Sequence, residues 1–443
     1  MRYSLRDYIP YYKRNLRLAG PVMLTSLGVA LAGVIDSVMV GHYGTVELAA
    51  VSFANSIFFT IMIFGLGCTA GITPLVGYAF VQRDVQRVQR LYRSGLRFTL
   101  LVTLALICVL LVFLPIMHHM GQDEQMIQVA TPYFLLAIAS TLPFLLNNYF
   151  KQFFEGLGNT VVAMVVMIVL NLLNIPLNYI FIFGHLGCPA LGATGAGIAT
   201  LIVRSLMPIC LYIALRVKRS WSVYRAGEHG DWATTWQVCK LGVPMGVQQV
   251  MEILAFTIAV VFVGWLGTAQ VAAYQITNNV VDMVFMVAIG IGSATTIRVA
   301  HQFGAGRIHD MHMAAHASIH LTLLWCAIGS SIMIIGHRII PRAFSTDPVV
   351  IDLCAQTLVI AGLFEIADGM QVVAGAMLRG ISDVRMPAVI AFIAYIAIAL
   401  PVGYWLMFPM GLGLNGIWMG FAIGLTIAGI MLHIRFLYIA PKE

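Results

Sequence analysis

The amino-acid sequence predicts an all-α integral membrane protein whose twelve transmembrane helices form two pseudo-symmetric six-helix bundles. Three observations predict this fold class: the chain is poor in charge, its apolar residues form long continuous stretches, and the sequence repeats itself once. Of the 443 residues, 60% are apolar and 10% are charged, whereas soluble proteins carry about 25% charged residues. So few charges cannot cover a water-facing surface, which excludes a soluble enzyme and a nucleic-acid-binding protein.

Each apolar stretch is long enough to cross a bilayer, because a membrane-spanning helix needs about 20 mostly apolar residues. The stretches are continuous and do not alternate as the strands of a membrane barrel do. The polar residues before the first stretch lack a signal-peptide cleavage site, so we expect a retained cytoplasmic N-terminus. The predicted spans are residues 17–42, 50–80, 96–117, 128–153, 160–184, 193–216, 238–264, 270–300, 314–337, 350–378, 387–408 and 415–437.

The positions of the basic residues predict the orientation of the chain, whose net charge is +7. Of the 25 Lys and Arg residues, all but Arg204, Arg338 and Arg342 lie at the termini or near the connections that follow spans two, four, six, eight and ten. Cytoplasmic loops of membrane proteins carry an excess of Lys and Arg. We therefore expect both termini on the cytoplasmic side.

A single constant shift aligns the first half of the sequence with the second without a gap, and later segments align at nearly the same shift. Chance similarity within an apolar chain would not keep one order and a nearly constant offset. The repeat predicts two bundles, residues 1–220 and 221–443, in the same orientation. Parallel repeats of this kind are typical of transporters that alternate access to a site between their halves. Aligned pairs include Pro21 with Pro244, Gly41 with Gly264, Asn55 with Asn278, Gly67 with Gly290, Thr73 with Thr296, Gly156 with Gly380 and Gly192 with Gly413.

Acidic residues inside the predicted spans are the first candidates for a functional site. A carboxylate near the bilayer centre costs at least a few kcal/mol, so it normally faces a polar interior and serves a function. It can bind and release a proton or, together with other oxygens, hold Na⁺. Asp282 and Glu365 could also be structural hydrogen-bonding groups near a helix end. The acids are Asp36, Glu252, Asp282, Glu365 and Asp368, and Gln371 continues the helix face of the last two.

Two further polar patterns have a structural and a functional interpretation. Asn171, Asn174 and Asn178 form a stripe on span five, either as hydrogen-bonding contacts between helices or as part of a polar pocket. We expect Asn174 and Asn178 to line a substrate pocket, together with Asp282, Glu365 and Gln371. Histidines at positions 312, 316 and 320 have a spacing that could bind a metal, but no acid or cysteine accompanies them, which favours a solvated stripe.

Motifs that the sequence does not contain predict the energy source of transport and the lack of enzyme activity. It contains no G-x-x-x-x-G-K-[ST] segment for binding nucleotide phosphates. An intramembrane enzyme would need a nucleophile–base pair or a metal set at membrane depth. Histidines are nearly absent from the spans outside the region of spans eight and nine, so we expect no enzyme activity. Transport by this chain would have to be driven by an ion gradient, with no cofactor other than the coupling ion.

Several segments taken together resemble the multidrug and toxic compound extrusion (MATE) family. They are GVIDSVMVGHYG around Asp36, LGVPMGVQQVMEILAF around Glu252, NLLNIPLNYIF around Asn174 and Asn178, and DGMQVVAGAMLRGISD around Asp368. The resemblance extends along the whole chain. The segment of span ten and the glutamate of span seven resemble the NorM-like branch.

This resemblance implies a secondary active multidrug efflux transporter of the cell inner membrane. Such a protein exports small organic cations in antiport with Na⁺ or H⁺ and is expected to be a monomer. By resemblance, Glu252, Asp368 and Asp36 are the cation-coupling acids, and the first two are candidate Na⁺ ligands. Asp36 also forms the polar site of the other half, together with Asn174 and Asn178. Some relatives carry tyrosine near span ten where this chain has Leu363, Phe364 and Ala367, so both coupling ions remain open.

The alternative is a lipid or polysaccharide flippase of the same wider superfamily. A protein that binds pyrophosphate-linked substrates is expected to line its groove with basic residues. This chain places one basic residue, Arg204, inside the spans against five acids. The balance favours a cationic substrate.

Overall fold

The computed structural model describes residues 4–225 and 227–441, and these residues form helices, turns and no strand. Arg2 and Lys442, two of the basic residues counted above, lie outside the described residues. The α-helices are α1 Leu5–Tyr43, α2 Thr45–Ala70, α3 Ile72–Val81, α4 Val85–Ile116, α5 Glu124–Ala139, α6 Thr141–Gly156, α7 Val161–Phe183, α8 Gly192–Val217, α9 Arg219–Ser222, α10 Trp232–Gly264, α11 Thr268–Gly304, α12 Ile308–Ile335, α13 Pro348–Gly380, α14 Arg385–Ala391, α15 Leu400–Met407 and α16 Leu414–Ile439.

The number of spans agrees with the prediction. Within residues 4–225 and 227–441, eleven helical segments are long and apolar enough to cross a membrane, and α5 with α6 forms a bent pair that supplies a twelfth. The protein is therefore an all-α, multi-pass membrane protein. Helices suit this environment because each satisfies its backbone hydrogen bonds within itself, where no water is available to do so.

The fourth span differs from the continuous helix predicted at 128–153. It is bent by 41° between α5 and α6, with Ser140 at the break. Pro143 explains the position of this break. A proline ring clashes with the carbonyl group four residues before it, here that of Ala139, and cannot donate the hydrogen bond that would continue the helix.

The first span is also longer than the predicted 17–42, because α1 begins at Leu5. The preceding polar segment was expected to be a terminal extension, yet it forms helix and packs against α12. Asn15 is fully buried, and its Nδ2 donates to the carbonyl of Ala314 at 3.0 Å and to Ser318 Oγ at 2.8 Å. The buried hydrogen bonds of Asn15 thus help to explain why the helix begins before the position that hydropathy predicts.

The eleventh span is α-helical at its ends and π-helical in its middle. The π-helical turns run from Phe392 to Ala399, between α14 and α15. Pro401 lies two residues after Ala399, and its ring prevents a normal α-helical turn from reaching back to residue 397. Widening the preceding turns removes this clash. Such π segments occur frequently at functional sites.

The chain divides into two compact units. The N-terminal unit is Leu24–Gly246, and α2 packs there against α4, α5 and α6. The C-terminal unit is Met1–Met23 with Val247–Glu443, and α13 packs there against α11, α12 and α16. These boundaries describe contacts, whereas the halves 1–220 and 221–443 describe the sequence repeat and stay a prediction.

Repeated positions make the same contact in each unit. In the N-terminal unit, Thr73 Oγ1 donates to the carbonyl of Gln152 at 3.1 Å. In the C-terminal unit, the aligned Thr296 donates to the carbonyl of Ala376 at 3.2 Å. Gln152 and Ala376 are themselves at aligned positions of the repeat. The repeat therefore extends from the sequence to individual hydrogen bonds.

The aligned glycines pack equally tightly. A Cβ atom added at Gly156 would lie 2.8 Å from Val76 Cβ, and one added at Gly380 would lie 2.6 Å from Val299 Cβ. Neither helix crossing leaves room for a larger residue. Packing thus explains why these glycines occur in both halves of the repeat. The acids do not repeat, so the same explanation does not apply to them.

Candidate functional site

Three of the predicted residues meet in the N-terminal unit. Asn178 Nδ2 donates to Asp36 Oδ1 at 2.6 Å and to Asn174 Oδ1 at 2.8 Å. Asn178 is fully buried and Asn174 nearly so. The two asparagines are four residues apart on α7, so they lie one turn apart on the same face. We call Asp36, Asn174 and Asn178 the N-terminal cluster.

The N-terminal cluster is rich in oxygen atoms that can accept a cation. Both amide protons of Asn178 are used, while its buried Oδ1 has no hydrogen-bond partner among the described residues. Asn171, the third residue of the stripe, makes no hydrogen bond to the cluster, and its Nδ2 is buried without a partner in the same part of the chain. A cavity of about 680 Å³ on α1 is lined by Gly33 and Ser37 and does not include the cluster residues.

The C-terminal unit places Glu252 beside α13. Its Oε1 accepts hydrogen bonds from Gln248 Nε2 at 3.1 Å and from Gln371 Nε2 at 3.3 Å. Gln248 precedes it by one turn of α10, whereas Gln371 lies on α13. Asp368, three residues before Gln371, is buried and interacts electrostatically with Glu252. The sequence placed these acids on separate spans, and the fold brings them together.

Glu365 and Asp282 complete this group. We call Glu252, Asp282, Glu365, Asp368 and Gln371 the C-terminal cluster. Glu365 is buried, and its Oε1 has no hydrogen-bond partner among the described residues. Asp282 on α11 is exposed and accepts a hydrogen bond from Asn278 at 3.1 Å. Asp282 interacts electrostatically with Glu365 and Asp368. All five predicted residues therefore belong to one neighbourhood of the C-terminal unit.

Among the residues that the structure describes, none of the five intramembrane acids has a basic partner within 4.0 Å. The ion pairs in this part of the chain join Lys151 to Glu155 and Arg435 to Asp383. A buried carboxylate that no basic group contacts directly is costly in its charged form unless an ion binds or the group is protonated. This arrangement suits acids that exchange cations.

Metal chelation by histidine is not supported. In the described part of the chain, no group of three or more His, Cys, Asp or Glu residues could hold a metal ion. The ring of His312 lies 6.3 Å from that of His316, and its Nε2 contacts the carbonyl of Pro441. A Na⁺ ion at Glu252 and Asp368 would therefore need amide or carbonyl oxygens as its further ligands.

Two residues near the C-terminal cluster were missed in the sequence. Tyr395, buried in the π-helical segment, interacts electrostatically with Glu252 and Asp368. Arg379, three turns after Asp368 on α13, interacts electrostatically with Glu252. Pro401 signals a disturbed helix near Tyr395, but nothing in the sequence indicates that this tyrosine faces span seven.

Known proteins resemble the chain along nearly its full length. The MatE family model matches residues 21–180 and 244–405, which together exceed half of the chain. The chain belongs to the MatE family. The two matched segments of this MATE protein begin at Pro21 and Pro244, which are aligned positions of its internal repeat. It is 32% identical to the multidrug resistance protein NorM of Vibrio parahaemolyticus, over 97% of this chain and 95% of that protein.

Solved MATE structures share the fold. The Vibrio cholerae MATE transporter VcmN superposes with a TM-score of 0.89 at 18% identity, covering 98% of each chain. The eukaryotic MATE transporter AtDTX14 superposes with a TM-score of 0.87 at 19% identity, covering 97% of this chain and 96% of that one. These similarities confirm the predicted fold and the NorM-like resemblance.

Proposed function

We propose that this MATE protein is a secondary active multidrug efflux transporter that exports small organic cations in exchange for Na⁺ or H⁺. The observation that carries the proposal is the C-terminal cluster, in which Glu252, Asp368 and Glu365 lie together without a basic partner within 4.0 Å among the described residues. Relatives named multidrug resistance proteins support efflux of several compounds.

Exchange follows from competition for the same carboxylates. Gln248 and Gln371 hold one oxygen of Glu252, which fixes the side chain and leaves its negative charge in place. An organic cation and a coupling ion both gain energy from that charge, so binding of one lowers the affinity for the other. The coupling is a difference in binding free energy, and no covalent step is needed.

The N-terminal cluster supplies a second cation-attracting position. Asn178 holds Asp36 by a hydrogen bond of 2.6 Å, which fixes the carboxylate in the same way as the glutamines fix Glu252. We infer that this cluster takes part in binding either the substrate or the coupling ion. Carboxylate and amide oxygens suit Na⁺, and the carboxyl group by itself suits H⁺.

The test is uptake of ethidium into proteoliposomes under an imposed Na⁺ gradient and, separately, under a pH gradient. Flux under either gradient is expected, and the effective gradient identifies the ion. Glu252→Gln and Asp368→Asn should each reduce coupled flux at least about tenfold, the size of one lost charged hydrogen bond or more. Asp352→Asn is the matched control, because Asp352 lies on α13 but is exposed and bonded to Gln356.

Full flux in the Glu252 and Asp368 variants would remove the assignment of these residues. A wild-type protein that moves no organic cation under either gradient would remove the proposed function itself. Transfer of a lipid-linked sugar across the same vesicles would then support the flippase alternative.

We infer further that the protein is a monomer of the inner membrane with both termini in the cytoplasm. The one-sided distribution of Lys and Arg supports this orientation. Reporter fusions at each terminus should be active only as cytoplasmic reporters, and a periplasmic signal at either end would contradict the inference. Light scattering of the purified protein tests the monomer.

A further inference from the structure

The fourth span of the N-terminal unit and its counterpart in the C-terminal unit are built differently. Residues 124–156 form the broken pair α5 and α6, whereas residues 348–380 form the single helix α13. The shift that places Gly156 on Gly380 aligns the two stretches from end to end. Since the repeat makes their positions equivalent, the difference must come from side chains.

Arg204 of α8 lies at the break. Its Nη1 donates to Ser140 Oγ at 2.8 Å. Its guanidinium carbon lies 5.0 Å from the ring centres of Phe58 and Phe144 and 5.7 Å from that of Phe59. Aromatic faces and a hydroxyl group stabilise a guanidinium without cancelling its charge. Among the described residues, no carboxylate lies within 4.0 Å of Arg204.

At the equivalent positions, the C-terminal unit has apolar residues in place of Arg204 and Ser140 and acids in place of two of the phenylalanines. Leu425 and Phe364 belong to one buried apolar cluster, so the scaffold forms at this place without an arginine or a serine. Residues that a duplicated scaffold does not require for folding are candidates for function. The repeat aligns Arg204 with Leu425, Ser140 with Phe364, Phe144 with Asp368 and Phe59 with Asp282.

The alignment therefore pairs an internal cation with acids. The N-terminal unit encloses the guanidinium of Arg204 with phenylalanines, and the C-terminal unit carries Asp368 and Asp282 at two of those ring positions. At these aligned positions the N-terminal unit holds a fixed positive charge and the C-terminal unit holds two carboxylates. The arginine that interacts with Glu252 in the C-terminal unit, Arg379, lies three turns further along α13.

Arg204 also acts on the N-terminal cluster. Helix α8 packs against α7, which carries Asn174 and Asn178, and the guanidinium interacts electrostatically with Asp36. A permanent positive charge that interacts with Asp36 opposes the binding of a second cation there, because like charges repel more strongly away from bulk water.

We propose that Arg204 is a tethered internal cation that weakens cation binding at the N-terminal cluster. The exchanged cation therefore binds more tightly to the C-terminal cluster than to the N-terminal cluster. This inference rests on the proposed function and specifies how the two clusters differ. Ser140 and the three phenylalanines hold the charge in place. The N-terminal cluster then binds its cation weakly enough to release it.

The test is equilibrium binding of tetraphenylphosphonium to the purified full chain. Binding is measured in a Glu252→Gln/Asp368→Asn background, which leaves Asp36 as the remaining acid of interest. Adding Arg204→Gln should tighten binding at least about threefold, because it removes the partly screened repulsion between one positive charge and the bound cation. Asp36→Asn should abolish this gain. Arg204→Lys keeps the charge and should leave the affinity unchanged.

Arg225→Gln is the matched control. Arg225 belongs to the same unit, donates to Tyr212 Oη at 3.1 Å and lies 5.9 Å from the centre of that ring. Its loss should leave the affinity unchanged. Arg204→Leu, which introduces the residue type of the aligned position, serves as a second charge-free variant if the glutamine variant does not fold.

An unchanged affinity in the charge-free variants, or an equal gain in Arg204→Lys, would overturn the inference. The same holds if the background binds no cation before and after removal of the charge. Ethidium flux by the wild type separates these failures from that of the proposed function. Flux with no effect of Arg204 removes only this inference, whereas no flux under either gradient removes the function on which it rests.

Discussion

Individual carboxylates in this MATE protein are held by amides. Glu252 accepts N–H groups from Gln248 and Gln371, and Asp36 accepts one from Asn178. An amide donor orients a carboxylate and favours its ionised form without neutralising it. The charge therefore stays available to a mobile cation, which a salt bridge to Lys or Arg would prevent.

Tyr395 gives a prediction at the scale of one residue. Its electrostatic interaction with Glu252 and Asp368 places a phenol near the proposed cation-binding acids. We expect the phenol oxygen to contact the coupling ion or its carboxylates when the ion is bound, so Tyr395→Phe should weaken binding of that ion roughly tenfold, since a hydrogen bond to a charged group contributes about 1.5–3 kcal/mol. Flux measured against Na⁺ concentration or pH checks this. Tyr404→Phe, an exposed tyrosine of α15, is the control, and an equal effect of both variants would contradict the role.

At the scale of helices, two prolines interrupt regular α-helical geometry. Pro143 follows the break at Ser140, where Arg204 is bonded, and Pro401 follows the π-helical turns that carry Tyr395. In each case the proline acts on the turn before it. The sequence thus marks the irregular turns, although it does not show which side chains they reposition.

Gly67 tests how tightly the helices of the N-terminal unit pack. A Cβ atom at Gly67 would lie 2.6 Å from Gly246 Cα, a backbone atom that cannot rotate away. Gly67→Ala should lower the free energy of unfolding by about 1–3 kcal/mol, measured by thermal unfolding in detergent. Gly20→Ala is the control, since no atom lies within 4 Å of the added Cβ. Equal stability of both variants would contradict this packing.

Asp231 tests the start of α10. Its Oδ1 accepts the backbone N–H of Thr234, and this hydrogen bond lowers the pKa of Asp231 below its ordinary value. Asp231→Ala should cost about 0.5–1 kcal/mol of stability, at the low end for an exposed helix cap. A lowered pKa in the folded state means that the stabilisation is present at neutral pH and is lost as the pH falls through that pKa.

Thermal unfolding of the wild type and Asp231→Ala at neutral and acidic pH checks both parts of this prediction. The difference between the two proteins should shrink on acidification. Asp352→Ala, which removes an exposed acid within α13, should show no such pH-dependent difference. A difference that grows as the pH falls would contradict the cap.

At the scale of the whole molecule, the proposed exchange requires reciprocal binding. If Na⁺ or H⁺ weakens tetraphenylphosphonium binding by some factor, then tetraphenylphosphonium must weaken binding of that ion by the same factor. Calorimetric titrations in both orders measure the two factors. Glu252→Gln with Asp368→Asn should bring both close to one. Independent binding of the two cations in the wild type would contradict competition for shared acids.

Much of the fold was predictable from the sequence because the bilayer restricts what a chain can form. Long apolar stretches become helices where backbone groups have no water to bond, and the number of spans and the repeat follow from counting and shifting. The N-terminal helix before residue 17 was missed because hydropathy ignores Asn15, whose buried partners Ala314 and Ser318 lie far away in the sequence, on α12.

The sequence by itself determined the all-α membrane fold, the repeat and the acids at membrane depth, since each depends on residue type and spacing. Only the tertiary structure decided which polar groups meet. It joined Gln371 to Glu252, Asn178 to Asp36 and Arg204 to Ser140. These pairs lie on different helices, and the rotation of each helix about its axis depends on close packing across the whole unit, which no local pattern encodes.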